Sequence, residues 1–352
     1  MPGRLHRPAQ LICELICSLL VICAPAHALP LSPGDRVKVS IPEGEEFSGI
    51  FEVNLNGDLE LPYLRGIQAI GLEPSQLQER IKQALVRQGF FQPSFLKVSL
   101  SVLQWAPVEV FVSGSTFLPG RVLINEWTDI QQTQAPVQQS GQTSFKRFLS
   151  VAIREAGGVL PTADVKAVEL IRGSTRRVID LSGVFSGVPF KDVPLIAGDR
   201  VVVPDSGRLN PLIVRPSQIT PVGVKIFISN LTVPASSNST SAIGRDATSF
   251  PYGSRFSHAV VSGNCVGGAL FTNARRRAVL VRTNAATGLS TTLDKGVEEL
   301  MKRSLNSDSN PYLMPNDAIT CYDSAATNVR EVFRMIGEII APGALLLGPL
   351  RP

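Results

Sequence analysis

The stretch LSPGD at residues 31–35 precedes the run RVKVSI, and the same phrase returns as LIAGD at 195–199 and as LMPND at 313–317. Its fourth residue is a type that tolerates a left-handed backbone: Gly34, Gly198 and Asn316. Its fifth residue is always aspartate, which accepts hydrogen bonds from main-chain N–H groups beside a turn: Asp35, Asp199 and Asp317. A leucine, a turn and an apolar run therefore predict the same turn-to-strand connection at three places in the chain.

The composition is typical of a folded protein. The 352 residues are enough for two or three domains, and 44% of them are hydrophobic and 18% charged. The formal net charge of +5 is spread along the chain, with one dense basic run at 275–277. Nucleic-acid-binding proteins show a clustered basic face, often with stacking aromatic side chains, but aromatic residues make up only 6% here. We therefore expect no nucleic-acid partner.

Residues 1–28 have the pattern of a cleaved secretory signal peptide. Two arginines precede an apolar stretch over 11–26, which ends in the small-x-small sequence AHA. The apolar stretch is short and interrupted for a membrane span. Lipid attachment at Cys23 is the alternative, although the bulky Ile22 stands where a lipoprotein cleavage site has a small residue. The sequence thus predicts an exported protein.

The region from 29 to 105 has the pattern of a small α+β domain. Asn56-Gly57 between apolar runs predicts a hairpin. Pro74 suits the first turn of a helix that ends at Gly89. The apolar residues of this helix share one face: Leu77, Ile81, Ala84 and Leu85. A strand over 96–103 completes the unit.

Residues 106–206 and 207–324 match one another, which indicates an internal duplication. The strand VEVFVSG at 108–114 aligns with VKIFISN at 224–230, and the turn phrase closes both copies. The alternation of apolar and polar residues in these runs is that of strands.

A helix is expected between the first and later strands of each copy. In the first copy its apolar stripe is Phe145, Phe148, Leu149, Ala152 and Ala156. We align its start, Arg147-Phe148, with Arg255-Phe256, and the glycines that follow it, Gly157-Gly158, with Gly267-Gly268. Fifteen residues after the first glycine of each pair comes an arginine that closes a strand: Arg172 or Arg282.

Two cysteines, Cys265 and Cys321, lie outside the predicted signal peptide. In an exported chain they predict one disulfide, two buried free thiols being the alternative. The duplication places Cys321 at the position of Val203 on the last strand, and Cys265 near the position of Glu155. A helix packed across its own sheet would bring the two together.

The C-terminal region, residues 325–352, predicts an amphipathic helix that ends at Pro342-Gly343. Its apolar side carries six residues: Val329, Val332, Phe333, Ile336, Ile339 and Ile340. Sixteen residues at ~1.5 Å each reach about 24 Å, short of the ~30 Å hydrocarbon core. Two interpretations stay open. The helix docks on the last domain, or it faces lipid or identical neighbours around a shared lumen.

No catalytic constellation stands out in the sequence. The predicted mature chain has one histidine, His258, which we interpret as a packing residue. A thiol nucleophile at Cys265 would need His258 as its base, and the predicted disulfide would consume the thiol. No Cys/His cluster has metal-ligand spacing, no glycine-rich phosphate loop is present, and nothing singles out a pair of carboxylates. We predict no enzymatic activity, no metal and no cofactor.

With these residues assembled, the chain resembles the outer-membrane polysaccharide export proteins of the Wza-like kind. The first unit is similar to their export domain in LSPGDRVKVSI and VNLNGDLELPYLRGIQAIGLEPSQLQERI. The second is similar to a soluble-ligand-binding β-grasp repeat in VFVSGSTFLPG, AGGVLPTADVKAVELIRG and LIAGDRVVVP. The resemblance implies an α+β fold with an export domain at 29–105, β-grasp repeats at 106–206 and 207–324, and a C-terminal amphipathic helix at 325–352.

The same resemblance implies a function. It suggests a homo-oligomeric ring in the periplasm whose C-terminal helices line a pore through the outer membrane. Polysaccharide would be the passive cargo, and an inner-membrane co-polymerase that regulates chain length would be the partner. A periplasmic carbohydrate-binding or adaptor protein without a pore is the alternative, and a carbohydrate-active enzyme is a third possibility.

Overall fold

A computed structural model describes residues 29–126, 146–231, 247–266, 276–284, 287–302 and 305–323. The chain divides into two compact units, of which the first is Met1–Pro107 with Asn125–Phe145 and the second is Val108–Ile124 with Lys146–Pro352. Helices and sheets are mixed in the described residues, which confirms the expected α+β class.

The first unit contains a three-stranded antiparallel sheet in the order β2-β1-β5 and a two-stranded ribbon of β3 and β4. The strands are β1 Arg36–Ser40, β2 Gly49–Glu52, β3 Asp58–Leu59, β4 Ile67–Gln68 and β5 Ser99–Gln104. One helix, α1 (Pro74–Arg87), packs against β5.

Helix α1 forms where the sequence predicts it. The Gln76 side chain accepts a hydrogen bond from the Glu73 N–H at the helix start, and Gly89 has a left-handed φ of +79° just beyond the end. Its core-facing residues recur every four positions and are fully buried: Leu77, Ile81 and Leu85. Each such side chain contributes about 1.5–3 kcal/mol of burial free energy.

The predicted hairpin at Asn56-Gly57 is only partly correct. Gly57 adopts a φ of +87° and its N–H donates to the Asn54 carbonyl, so the turn is present. The flanking runs, however, meet only at one bridge between Val53 and Leu59. The strands diverge because β2 pairs with β1 while β3 pairs with β4.

The second unit contains a five-stranded sheet in the order β7-β6-β10-β8-β9. Its strands are β6 Val108–Gly114, β7 Gly120–Ile124, β8 Val168–Arg172, β9 Thr175–Ile179 and β10 Arg200–Val203. The central pair β6–β10 is parallel and its neighbours are antiparallel. Helix α2 (Leu149–Glu155) contacts β6 and β7, and a short helix α3 (Gly183–Ser186) follows β9.

A second five-stranded sheet in this unit has the order β12-β11-β15-β13-β14. Its strands are β11 Gly223–Asn230, β12 Thr248–Pro251, β13 Arg276–Thr283, β14 Ser290–Gly296 and β15 Ala318–Asp323. Its central pair β11–β15 is again parallel. The helices are α4 (Phe256–Ser262) and α5 (Val297–Lys302). Position for position, β11 occupies the place of β6, β15 that of β10, and β13 that of β8.

The two sheets touch through aromatic side chains. The rings of Phe117 and Tyr252 meet edge to face at 5.8 Å between centroids. The Tyr252 hydroxyl donates to the Val159 carbonyl, and burial raises the pKa of Tyr252 well above its ordinary range.

The structure corrects the alignment of the two helices. The Leu149 N–H donates to the Val193 carbonyl, and the Phe256 N–H donates to the Pro311 carbonyl. Because Val193 and Pro311 each lie two residues before the leucine of the turn phrase, Leu149 is the counterpart of Phe256. The alignment of Arg147-Phe148 with Arg255-Phe256 was therefore wrong by one residue.

The glycine alignment was also wrong. The Gly158 N–H donates to the Ile153 carbonyl, and the Cys265 N–H makes the same bond to the Val260 carbonyl. Gly158 therefore corresponds to Cys265, which lies three residues beyond the position of Glu155. Gly267-Gly268 lie outside the described residues.

Candidate functional site

The turn phrase has the same geometry at all three places. Its leucines are fully buried: Leu31, Leu195 and Leu313. Its fourth residues lie in the left-handed region, with φ of +85° at Gly34, +82° at Gly198 and +67° at Asn316. Asparagine replaces glycine in the third phrase because it tolerates this conformation better than other non-glycine residues.

The aspartate of the second phrase is held by a bidentate arginine. Asp199 is 1% exposed, and it accepts hydrogen bonds from Arg172 Nε at 2.9 Å and from Arg172 Nη2 at 2.7 Å. The Ile196 N–H donates to the same carboxylate at 2.9 Å, and Arg172 Nη2 also donates to the Pro194 carbonyl. The planar fork of arginine matches a carboxylate in this way.

The third phrase repeats this arrangement. Arg282 Nε and Nη2 donate to Asp317 at 2.8 and 2.7 Å, and the Met314 N–H donates to Asp317 at 2.8 Å. Arg282 Nη2 also donates to the Tyr312 carbonyl. The sequence alignment paired Arg172 with Arg282 and Asp199 with Asp317, but it did not predict that arginine and aspartate bond to each other.

The first phrase uses its aspartate differently. Asp35 is fully buried and accepts hydrogen bonds from the Ser32 and Ala106 N–H groups, both at 2.7 Å. Ala106 follows the last strand of the first unit, so the Asp35 carboxylate links the segment before β1 to the segment after β5. In all three phrases the aspartate has a structural role as a hydrogen-bond acceptor.

The disulfide is present in the structure between Cys265 and Cys321, with an S–S distance of 1.99 Å and a Cα–Cα distance of 5.9 Å. Cys321 lies on the central strand β15, and Cys265 lies three residues beyond the end of α4. The bond therefore fastens the end of the helix to the sheet beneath it.

His258 is not a core residue, contrary to our interpretation. It is exposed on α4, and its Nδ1 accepts a hydrogen bond from the Arg255 N–H at 3.2 Å, which caps the helix start. Within the part of the chain that the structure describes, no three His, Cys, Asp or Glu side chains form a group that could hold a metal.

Sequence reasoning missed a groove between two loops of the second unit. It has a volume of about 580 Å³ and lies between α3 with its following loop, residues 183–190, and residues 215–218. Arg215 donates to the Phe185 carbonyl, and its guanidinium lies 5.8 Å from the Phe185 ring centroid. The lining mixes apolar surface with hydrogen-bonding groups: Val188, Phe190, Pro216, Ser217 and Gln218. Such a lining suits a ligand with both hydroxyl groups and apolar faces.

The proposed pore residues Val329, Val332, Phe333, Ile336, Ile339 and Ile340 lie outside the described residues. None of the helices between residues 29 and 323 that the structure describes is both long and apolar enough to cross a bilayer.

Comparison with known proteins identifies the first unit. Residues 24–103 match the family described as polysaccharide biosynthesis/export protein, which confirms the resemblance seen in the sequence. This is a family of export proteins and not of enzymes. The matched domain supports a general role in polysaccharide export. No curated protein matches the sequence significantly.

Proposed function

We propose that this protein is a subunit of a channel that carries capsular or extracellular polysaccharide across the outer membrane. The observation that carries the proposal is the export domain at residues 24–103. The signal-peptide pattern at the N-terminus supports export of the chain to the periplasm, and the amphipathic C-terminal region supports contact with the outer membrane.

The proposed mechanism is passive transport through a ring of identical subunits. Each subunit contributes one amphipathic C-terminal helix, with its apolar side toward lipid or neighbouring helices and its polar side toward a shared lumen. The polar side carries Asn328, Arg330, Glu331, Arg334 and Glu338, which would keep the lumen hydrated. An inner-membrane co-polymerase would supply polymer and energy.

A ring of identical subunits requires each subunit to keep one shape, and the second unit contains two ion pairs and a disulfide that restrict its motion. The Arg172–Asp199 and Arg282–Asp317 pairs fix the entry to one strand in each sheet. The Cys265–Cys321 disulfide fixes α4 on the second sheet. These contacts favour a preformed subunit that assembles without refolding.

The second candidate function is a periplasmic carbohydrate-binding adaptor that forms no pore. The groove beside Arg215 favours it, because a cation, a hydroxyl, an amide and aromatic surface line one space. Under this hypothesis the export domain docks the protein on other export components, and the groove holds the polymer.

Deletion of residues 328–352 tests the channel against the adaptor. For a channel we expect surface polysaccharide to be lost and ring-sized particles to disappear while the truncated protein still accumulates in the periplasm. Ile336→Asp on the apolar side should cause the same loss, and Arg334→Gln on the polar side serves as the matched control. Export and ring formation that survive the deletion would contradict the channel and support the adaptor.

A further inference from the structure

The second sheet of the second unit has two apolar faces. One face packs against α4 through residues such as Ile226, Leu280 and Ile319. The opposite face, which we call the outer face, carries a separate cluster that is 1–4% exposed: Val279, Val281, Ala318 and Tyr322. Alternation along β13 and β15 places these residues away from the helix.

The outer face of the first sheet is more polar than that of the second sheet, although Ile171 and Val202 also lie on it. The strand registers make Glu169 the counterpart of Val279, and Arg200 the counterpart of Ala318. Glu169 pairs with Arg176, and Arg200 is exposed. The same fold therefore has a less apolar and more exposed outer face in its first copy than in its second.

The low exposures of the outer-face cluster are those of a single chain. Among the described hydrophobic side chains, Phe227 packs against the cluster. The Thr320 hydroxyl on the same face is buried and has no hydrogen-bond partner among the described residues. A second copy of the protein is thus not needed to explain the burial.

We propose that in the unassembled subunit the apolar side of the C-terminal region, residues 325–352, docks on the outer face. The chain leaves β15 at Asp323, so this region begins at the edge of the cluster. In the second unit the other long stretch outside the described residues, 232–246, is rich in Ser, Asn and Thr, and 267–275 has only nine residues.

The predicted C-terminal helix and strand β15 have similar lengths. The predicted helix is about 24 Å long at ~1.5 Å per residue, and the six residues of β15 span about 20 Å at ~3.3 Å each. A polar edge borders the apolar strip, since Asp294 accepts hydrogen bonds from Arg277 Nε and from the Tyr322 hydroxyl, both at 2.9 Å. This edge provides hydrogen-bonding groups for the polar flank of the docked helix.

Docking would hold the apolar residues of the C-terminal region out of water until assembly begins. A helix that lies on its own sheet cannot at the same time line a pore, so docking and channel formation would compete. The docking itself rests on the outer face and not on the proposed function.

Photo-crosslinking in the full mature chain tests the proposal. The crosslinking amino acid p-benzoylphenylalanine replaces Phe227, which packs on the outer-face cluster. Both side chains are aromatic, so the replacement is similar in shape to the residue it replaces. The matched control carries it at Phe111, the counterpart in the first sheet, which is 44% exposed. The products of the monomer fraction are mapped by peptide mass spectrometry.

We expect the Phe227 position to crosslink within the same chain to residues 329–340, with a yield independent of protein concentration, and the Phe111 position not to do so. A crosslink between two chains, a crosslink to another segment of the same chain, or no crosslink at all would overturn the proposal.

Hydrogen exchange gives a second measurement that needs no crosslinker. Ile336→Asp should release the docked helix and speed amide exchange in β13 and β15 about tenfold or more, while Arg334→Gln leaves it unchanged. Exchange in these strands that is the same in both variants would equally overturn the proposal.

Discussion

Arg172 holds the buried carboxylate of Asp199 through two parallel hydrogen bonds, and Arg282 holds Asp317 in the same way in the second sheet. The arginine side chains are about one-third exposed, at 34% and 32%, whereas the aspartate side chains are at most 1% exposed. The outer faces of the two sheets have diverged, but this contact has been kept. It is one of the structural elements that the two copies share.

Asp199→Ala should lower the free energy of unfolding by about 3 kcal/mol, because it leaves a charged guanidinium and the Ile196 N–H without their partner. Denaturant unfolding of the purified mature protein measures the change. The matched control is Arg121→Gln, which breaks the exposed pair with Glu109 and should cost about 0.5 kcal/mol or less. Equal decreases in the free energy of unfolding of the two variants would show that the Arg172–Asp199 pair stabilises the protein no more than an exposed ion pair does.

The double variant Cys265→Ser/Cys321→Ser should be less stable than the oxidised protein by about 4 kcal/mol in the chain-entropy model, since the bond closes a loop with a sequence separation of 56 residues. Unfolding curves recorded with and without reductant check this expectation. Reductant should destabilise the wild-type protein and leave the double variant unchanged. A wild-type curve that does not respond to reductant would contradict the stabilising role of the disulfide.

Asp192→Asn should flatten the pH dependence of stability. Burial raises the pKa of Asp192 above its ordinary value of 3.8, although Ser150 donates two hydrogen bonds to it. Between the ordinary and the raised value the folded state binds more protons than the unfolded state, so stability falls as pH rises through this window. An asparagine has no such titration.

The second sheet supports this substitution, because Asn310 already occupies the place of Asp192 and contacts Ser257 through its side chain at 2.8 and 3.0 Å. We expect Asp192→Asn to be as stable as the wild type at low pH, and more stable at pH 7 by up to about 1 kcal/mol. Thermal unfolding across pH 3–8 is the measurement. A variant that loses stability at pH 7 would show that the charge of Asp192 is favourable.

Gly114→Ala should destabilise the second unit by about 3 kcal/mol or more. Gly114 has a φ of +87°, and an added Cβ would lie 2.0 Å from the Val203 carbonyl oxygen of the neighbouring strand β10. Gly173→Ala is the control, because its φ is +55° but no atom lies within 4 Å of the added Cβ. Its cost should be the backbone strain alone, about 1–2 kcal/mol. Similar unfolding midpoints for the two variants would contradict the steric argument.

Local signals in the sequence predicted the parts of the fold that local chemistry decides. The turn phrase depends on a left-handed residue followed by aspartate, and helix α1 depends on Pro74, a four-residue apolar spacing and Gly89. The class of the protein followed from several such phrases taken together, and the family match over 24–103 confirms it for the first unit.

Features that depend on long-range contacts were harder to predict. The start of α2 is set by the hydrogen bond from the Leu149 N–H to the Val193 carbonyl, forty-four residues away in sequence. Aligning the two copies on their shared Arg-Phe sequence therefore shifted the start of α4 by one residue relative to that of α2. His258 was interpreted as a packing residue because a lone histidine on a helix usually is one, whereas it is exposed and caps the start of α4. The groove beside Arg215 joins two loops that no sequence pattern connects.

The measurement that tests the channel most directly is an electron-microscope image of the protein extracted with mild detergent from isolated outer membranes. We expect ring-shaped homo-oligomers with a central opening, together with loss of these rings when residues 328–352 are deleted. A monomer recovered only from the soluble periplasmic fraction, with none in the outer membrane, would contradict a polysaccharide channel.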